Sequence, residues 1–129
     1  RPEFALERQR QNIKFILNNR IRENISGCLK RRGGHKQGRR WEKLVGYNFR
    51  ELKKRLTETM PVGYTWKDFL SAKLHIDHII PIDAFNFTRP EHTDFKRCWA
   101  LSNLRLLPAR ENLIKGVKLN RPFQPALRI

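Results

Sequence analysis

Ile13, Leu17, Ile21, Ile25 and Leu29 recur at every fourth position, a spacing that lays them along one stripe of a helix. The pattern predicts a long helix from Ala5 to about Arg31, with Arg20, Arg22, Lys30, Arg31 and Arg32 largely outside the stripe. One face then packs on a core while the others meet solvent or phosphate. Periodicity stops at Gly33 to Arg40, where three Gly and the basic residues His35, Lys36, Arg39 and Arg40 predict a mobile basic loop. A short helical pattern resumes over Trp41 to Tyr47. Asn48 then reads as the N-cap of a helix running to about Thr59, with Phe49, Leu52 and Leu56 buried and Lys53, Lys54 and Arg55 on the remaining surface. Met60-Pro61-Val62-Gly63 ends it, and Thr65 to Leu70 reads as one more helical turn.

Beyond this point the period changes. Lys73 to Ile80 alternates and is rich in β-branched residues, predicting a strand that ends near Pro81. Ile82 to Glu91 reads as loop, Asp94 to Trp99 as a short helix, and Leu104 to Leu107 as a second strand. Pro108 suits the first turn of a helix, where its missing N–H is no loss, and that helix is expected to stop at Gly116. The fold class is therefore α+β. The 129 residues fit one small packed unit, divided into a basic helical extension (1–62) and a strand, loop, strand and helix core (63–129).

Charge sharpens the picture. The formal net charge is +16 and the pI about 10.9, with 17 Lys and Arg against five acids in residues 1–56 and 11 against seven thereafter. Such a field attracts polyanions from a distance, and nucleic acid is the expected partner ahead of an anionic membrane surface or an acidic protein. No apolar run approaches the roughly 20 residues of a membrane span and no signal-peptide core opens the chain, so the expected location is the cytoplasm. Arg1-Pro2-Glu3-Phe4, without an initiating Met, reads as a processing remnant with no functional weight. Cys28 and Cys98 show no Cys-x-x-Cys spacing and are expected as small buried hydrophobes.

The chemistry gathers in the second half. Asp77 and His78 end the first predicted strand, Asn103 lies in the loop before the second, and Asn112 lies on the following helix. Cleaving a phosphodiester needs a base for the attacking water, charge neutralisation at phosphorus and help for the departing 3′ oxygen. A neutral imidazole, with an ordinary pKa near 6.5, suits the first role, and a divalent cation suits the other two. Successive strand residues point to opposite faces. Asp77, a hard anionic donor, would therefore hold the metal with Asn112 adding a neutral oxygen, leaving His78 unligated as the base. A donor set this poor in nitrogen and sulfur favours Mg²⁺ or Mn²⁺ over zinc. His75 shares the face of Asp77 and is a candidate third ligand, with packing or hydrogen bonding as its alternative. Lys115 is either a phosphate contact or a helix-end cation. Asp83 reads as a turn residue, and His35 and His92 as surface residues. Arg20, Arg31, Arg32, Lys36, Arg39, Arg40, Lys53, Lys54, Arg105, Arg110 and Lys115 are the candidates for gripping a duplex.

From about Gly63 to Leu119, Tyr64-Thr65-Trp66, Asp77-His78-Ile79-Ile80-Pro81, Ser102-Asn103-Leu104 and Asn112-Leu113-Ile114-Lys115-Gly116 together resemble the HNH endonucleases. The likeness is to the small type found in bacteriophage genomes. The resemblance implies a ββα-metal (His-Me finger) core, with His78 as general base and Asp77 and Asn112 as ligands of one Mg²⁺ or Mn²⁺ per active site. It makes Asn103 the amide that ties the loop to the first strand and holds His78. The chain departs from the family name by placing Asn112 at the last position, an HNN variant. It also lacks the Cys-x-x-Cys pairs that brace some relatives, leaving Trp66, Phe69 and Trp99 as candidates for the core that replaces them. The implied activity is nicking of double-stranded DNA by a monomer with low sequence specificity, giving 5′-phosphate and 3′-hydroxyl ends. The implied role is phage genome processing or packaging, beside a terminase. A sequence-specific homing or restriction enzyme and a non-catalytic DNA-binding accessory protein are the alternatives.

Overall fold

The computed structural model describes residues 2–120, with side chains as far as Lys115; Arg1 and residues 121–129 lie outside the described residues. Helix α1 spans Pro2–Arg31 and buries the predicted stripe of Ile13, Leu17, Ile21, Ile25 and Leu29 together with Cys28. It ends because Gly33 adopts a left-handed φ of 83°, which lets the N–H groups of Gly34 and Gly33 donate back to the carbonyls of Leu29 and Lys30 at 2.7 and 3.1 Å. The basic loop that follows is anchored at two points. A Cβ on Gly34 would stand 1.9 Å from the carbonyl oxygen of Thr88, so only glycine fits there. Arg39 donates to the Lys36 carbonyl at 2.8 Å and to Glu91 at 2.7 Å.

Helix α2 (Trp41–Val45) and helix α3 (Phe49–Glu58) come next. Asn48 caps α3 reciprocally: its Oδ1 accepts from the Glu51 N–H at 2.9 Å and the Glu51 carboxylate accepts from the Asn48 N–H at 3.1 Å. After helix α4 (Trp66–Leu70) the chain forms strand β1 (Leu74–His78), helix α5 (Thr93–Cys98), strand β2 (Leu104–Pro108) and helix α6 (Ala109–Asn120). The two strands are antiparallel, with Leu74 opposite Pro108, Asp77 opposite Arg105 and His78 opposite Leu104.

Several boundaries differ from expectation, among them Pro108, which closes β2 opposite Leu74 instead of opening α6. Strand β1 stops at His78 rather than Ile80, because Asn103 takes over the hydrogen bonds of Ile79 and Ile80. Helix α6 passes through Gly116 and runs to Asn120. A glycine inside a helix costs about 1 kcal/mol relative to alanine, which weakens the helix without stopping it.

Leu17, Ile21 and Ile25 of α1, Leu52 and Leu56 of α3, Phe69 of α4, Leu74 of β1, Phe95 of α5, Trp99 and Leu104 belong to one buried cluster. Both cysteines are free and lie in it. Phe69 and Trp99 are fully buried, while Trp66 is partly buried and sets its ring edge-on to Phe69 at 5.3 Å. The helices of residues 1–62 and the sheet thus share a single core in an α+β arrangement. No helix among the described residues is long and apolar enough to cross a membrane.

A shared core predicts joint unfolding. Ile21→Ala should destabilise the protein by about 2–5 kcal/mol. Tryptophan fluorescence and far-UV circular dichroism should report one coincident transition in urea; a separate early transition for the helical part would contradict the single core.

Candidate active site

The site begins with a side chain that substitutes for a strand. Asn103, in a short 3-10 turn before β2, is 7 % exposed. Its Oδ1 accepts from the Ile80 N–H at 2.8 Å, and its Nδ2 donates to the carbonyls of Ile80 and Cys98 at 3.1 and 2.9 Å. Its own carbonyl accepts from the Ile79 N–H at 2.8 Å. The chain leaving β1 is thereby held against the chain entering β2, and every amide-group atom of the side chain is used. Arg55 of α3 secures the same turn from outside, donating to the carbonyls of Leu104 and Ser102 at 3.0 and 3.3 Å.

On one face of β1 stand His75 and Asp77, beneath α6. Asp77 is 6 % exposed and its carboxylate is met from both neighbouring elements. Arg105, its cross-strand partner on β2, donates through Nε at 2.9 Å. Lys115 of α6 places Nζ at 2.9 and 3.1 Å from the two carboxylate oxygens and 2.9 Å from the His78 carbonyl. Asn112, one helical turn before Lys115, contacts the Nδ1 of His75 through its Nδ2 at 3.1 Å. An amide N–H can only donate, so this contact makes His75 Nδ1 the acceptor and leaves Asn112 Oδ1 as the uncommitted oxygen.

His78 turns to the other side, edge-on to Trp99 at 4.4 Å between ring centroids. The Tyr47 hydroxyl fixes Trp99 by donating to its carbonyl at 2.6 Å. Nε2 of His78 is sealed from solvent with no hydrogen-bond partner, so Nδ1 is the ring nitrogen left to the adjoining cavity. Burial drives the imidazole down to about 4, the Asp77 charge opposes the shift, and the Lys115 charge adds to it. The cavity holds about 540 Å³ and is lined by Asp77, His78, Asn112 and Lys115, by Arg31 and Arg32 at the end of α1, and by Asp83. His75 opens instead on a neighbouring cavity of about 380 Å³, which shares Asn112 and is bordered by Arg20.

No protein-family model, no curated protein and no solved structure matches this chain.

Among the described residues no three His, Cys, Asp or Glu side chains gather as a metal cluster. What a metal would meet is an oxygen cradle: the two Asp77 oxygens and the His78 carbonyl, all within 3.1 Å of a cationic nitrogen. Hard oxygens that already accept a positive charge fit Mg²⁺ or Mn²⁺ by donor type, provided that Lys115 gives way.

The eleven basic candidates divide by what they touch. Arg32 donates to the carbonyls of Ile82 and Phe87 at 2.8 and 3.2 Å and lies over the Phe87 ring, clasping the loop after β1. Arg20 lies over the Phe69 ring at 4.8 Å, and Arg39 and Arg40 pair with Glu91 and Glu42. Arg105 and Lys115 hold Asp77. The side chains of Arg31, Lys36, Lys53, Lys54 and Arg110 make no hydrogen bond or ion pair among the described residues. Partial burial, then the charges of Arg22 and Lys30, hold Lys36 below the ordinary lysine range. Asp83 sits in a 3-10 turn, His35 is exposed, and the exposed His92 accepts the Thr88 N–H at 3.2 Å. Sequence reasoning missed the Arg105 and Lys115 pairing with Asp77 and the Trp99 support of His78. The Lys115 signal was present, since residues three apart share a helix face; the Arg105 signal required the strand register.

Two measurements follow from this geometry. Because folding lowers the His78 pKa from about 6.5 to about 4, the unfolded chain binds more protons between those values, and stability should fall as pH drops through that window. The loss is at most about 3 kcal/mol. It should appear as a difference in pH dependence between the metal-free protein and His78→Gln in urea denaturation; identical profiles would refute it. Asn103→Ala strands the polar groups of Ile80 and Cys98 and should destabilise by on the order of 3 kcal/mol, read by the same denaturation.

Proposed function

We propose that the protein is a metal-dependent endonuclease of the HNH, ββα-metal type that hydrolyses DNA phosphodiester bonds. The observation that carries the reading is the meeting of Asp77, His78 and Asn112 at one polar cavity, from the end of β1 and from α6. The order of strand, strand and helix, and the Asn103 clasp beside His78, support it further. Cationic surroundings add to the case: Asp77, Arg105 and Lys115 sum to one positive charge, and Arg31 and Arg32 border the same cavity. Such a cavity favours a phosphate anion.

In the proposed reaction His78 Nδ1 takes the proton of a water molecule as its oxygen bonds to phosphorus. Burial keeps the imidazole neutral at neutral pH, so the lone pair is available. A base near 4 is a weak one, and an entering phosphate anion raises it toward the working pH. Asn103 and Trp99 hold the ring in place. Arg31 and Arg32 draw the phosphate in. The bond from phosphorus to the 3′ oxygen breaks, and that oxygen takes a proton from solvent, giving 5′-phosphate and 3′-hydroxyl ends. Mg²⁺ or Mn²⁺, with Asp77 and Asn112 as ligands, would supply Lewis-acid stabilisation of the charge developing on the phosphate and the 3′ oxygen; His75, bonded to Asn112 and open on the neighbouring cavity, stays outside that ligand set. With one such site per chain, a monomer nicks one strand at a time.

The proposed partner is double-stranded DNA, read with little sequence specificity, and the proposed setting is phage genome processing or packaging beside a terminase. A non-catalytic DNA-binding module is the second reading. It is favoured by one observation: both oxygens of the Asp77 carboxylate are already engaged by cations.

Nicking of supercoiled plasmid decides between them. The protein should nick in the presence of Mg²⁺ or Mn²⁺ and stop on chelation by EDTA. His78→Ala should abolish nicking while DNA affinity, measured by fluorescence anisotropy, changes by less than about twofold, since a neutral ring releases no counterion. Retained cleavage in that variant would remove His78 from the base role, and cleavage in EDTA would remove the metal.

A further inference from the structure

Lys115 holds the carboxylate that the proposed nuclease would offer to its metal. Its Nζ lies at 2.9 and 3.1 Å from the two Asp77 oxygens and at 2.9 Å from the His78 carbonyl, so three oxygens surround one positive charge. Asp77 is 6 % exposed and the Lys115 side chain 28 %. Lys115 thus reaches a buried carboxylate from a position that still opens to the cavity. An aspartate buried this deeply needs a compensating charge, and Arg105 engages Oδ2 alone. A divalent ion bound to the same oxygens and the ammonium of Lys115 exclude one another by contact and by repulsion.

We propose that Lys115 is the resident occupant of the Asp77 and His78 oxygen cradle and that a divalent cation binds by displacing it. The inference rests on Asp77 being a metal ligand, as proposed above. Lys115 stands three residues after Asn112 on α6, so one helix face carries both a proposed ligand and the competitor for the site. Displacement frees a flexible ammonium into a cavity already bordered by Arg31 and Arg32, where a DNA phosphate is its natural new partner. Metal and phosphate therefore assist each other: the phosphate receives the displaced charge, and the metal releases it. Without DNA, the occupied cradle lowers the apparent metal affinity by the fraction of time it is open.

Calorimetric titration with Mn²⁺ in the absence of DNA tests this without reference to cleavage. Lys115→Met should bind Mn²⁺ about tenfold more tightly than the wild type if the cradle is open about one-tenth of the time. Lys115→Gln, which keeps a hydrogen-bond donor but no charge, guards against a fold defect in the methionine variant; it should tighten binding in the same direction. Circular dichroism confirms the fold of each. If the wild type and both folded variants bind Mn²⁺ equally, displacement is overturned while Asp77 remains a ligand. Weaker binding in the variants makes Lys115 a support of the site and also overturns displacement. If the wild type and both variants fail to bind Mn²⁺ and Asp77→Asn behaves alike, both this inference and the metal reading fall.

Discussion

One buried carboxylate joins the three elements on which the candidate site is built. Asp77 sits on β1, Arg105 reaches it from β2, and Lys115 reaches it from α6. Charge taken out of water is expensive unless it is paired and hydrogen-bonded, so the strand pair and the helix are held in one relation to Asp77. Asn112 rides on the same helix and meets His75 on the same strand face. The lysine contact also extends to the His78 carbonyl. The backbone between Asp77 and His78 is thus fixed from the side opposite to Trp99.

A second constraint acts at the end of β1. Strand residues alternate in direction, so Asp77 and His78 face apart within the ladder, yet both border one cavity. Ending the strand at His78 reconciles the two facts. Asn103 stops the ladder by taking the polar groups of Ile80 for its own amide, and Arg55 and Arg32 hold the flanking loops by their carbonyls. Arg32, which reads in the sequence as a phosphate contact, here also supports the loop after β1. The excess of positive charge serves two purposes, with some residues stitching loop backbone and others left to solvent.

Much of the fold is legible in the sequence. The four-residue spacing from Ile13 to Leu29 gives a buried stripe because a helix repeats every 3.6 residues, and α1 buries those residues. Asn48 followed by Glu51 marks a helix start through local hydrogen bonds alone, and α3 begins there. The end of β1 and the passage of α6 through Gly116 were not legible. The first depends on a residue more than twenty positions away, and the second on a penalty too small to end a helix. In the site, Asp77, His78, Asn103 and Asn112 were identifiable by residue type and order. The pairing of His75 with Asn112 and of Asp77 with two cations was not, because strand register and helix rotation decide which side chains meet.

By itself the sequence determined what is local: the helical stripe, the capped helix, the alternating strands, the basic field and the inventory of groups able to do acid–base or cation chemistry. These follow from backbone periodicity and side-chain charge, which each residue carries wherever it is placed. Only the tertiary structure decided what those groups face. It sealed one nitrogen of His78 against protein and left the other to a cavity, opened His75 on a different cavity, and set Lys115 among the oxygens of Asp77 and His78. The physical reason is that burial and pairing energies belong to contacts between distant segments, and packing against the shared core selects those contacts.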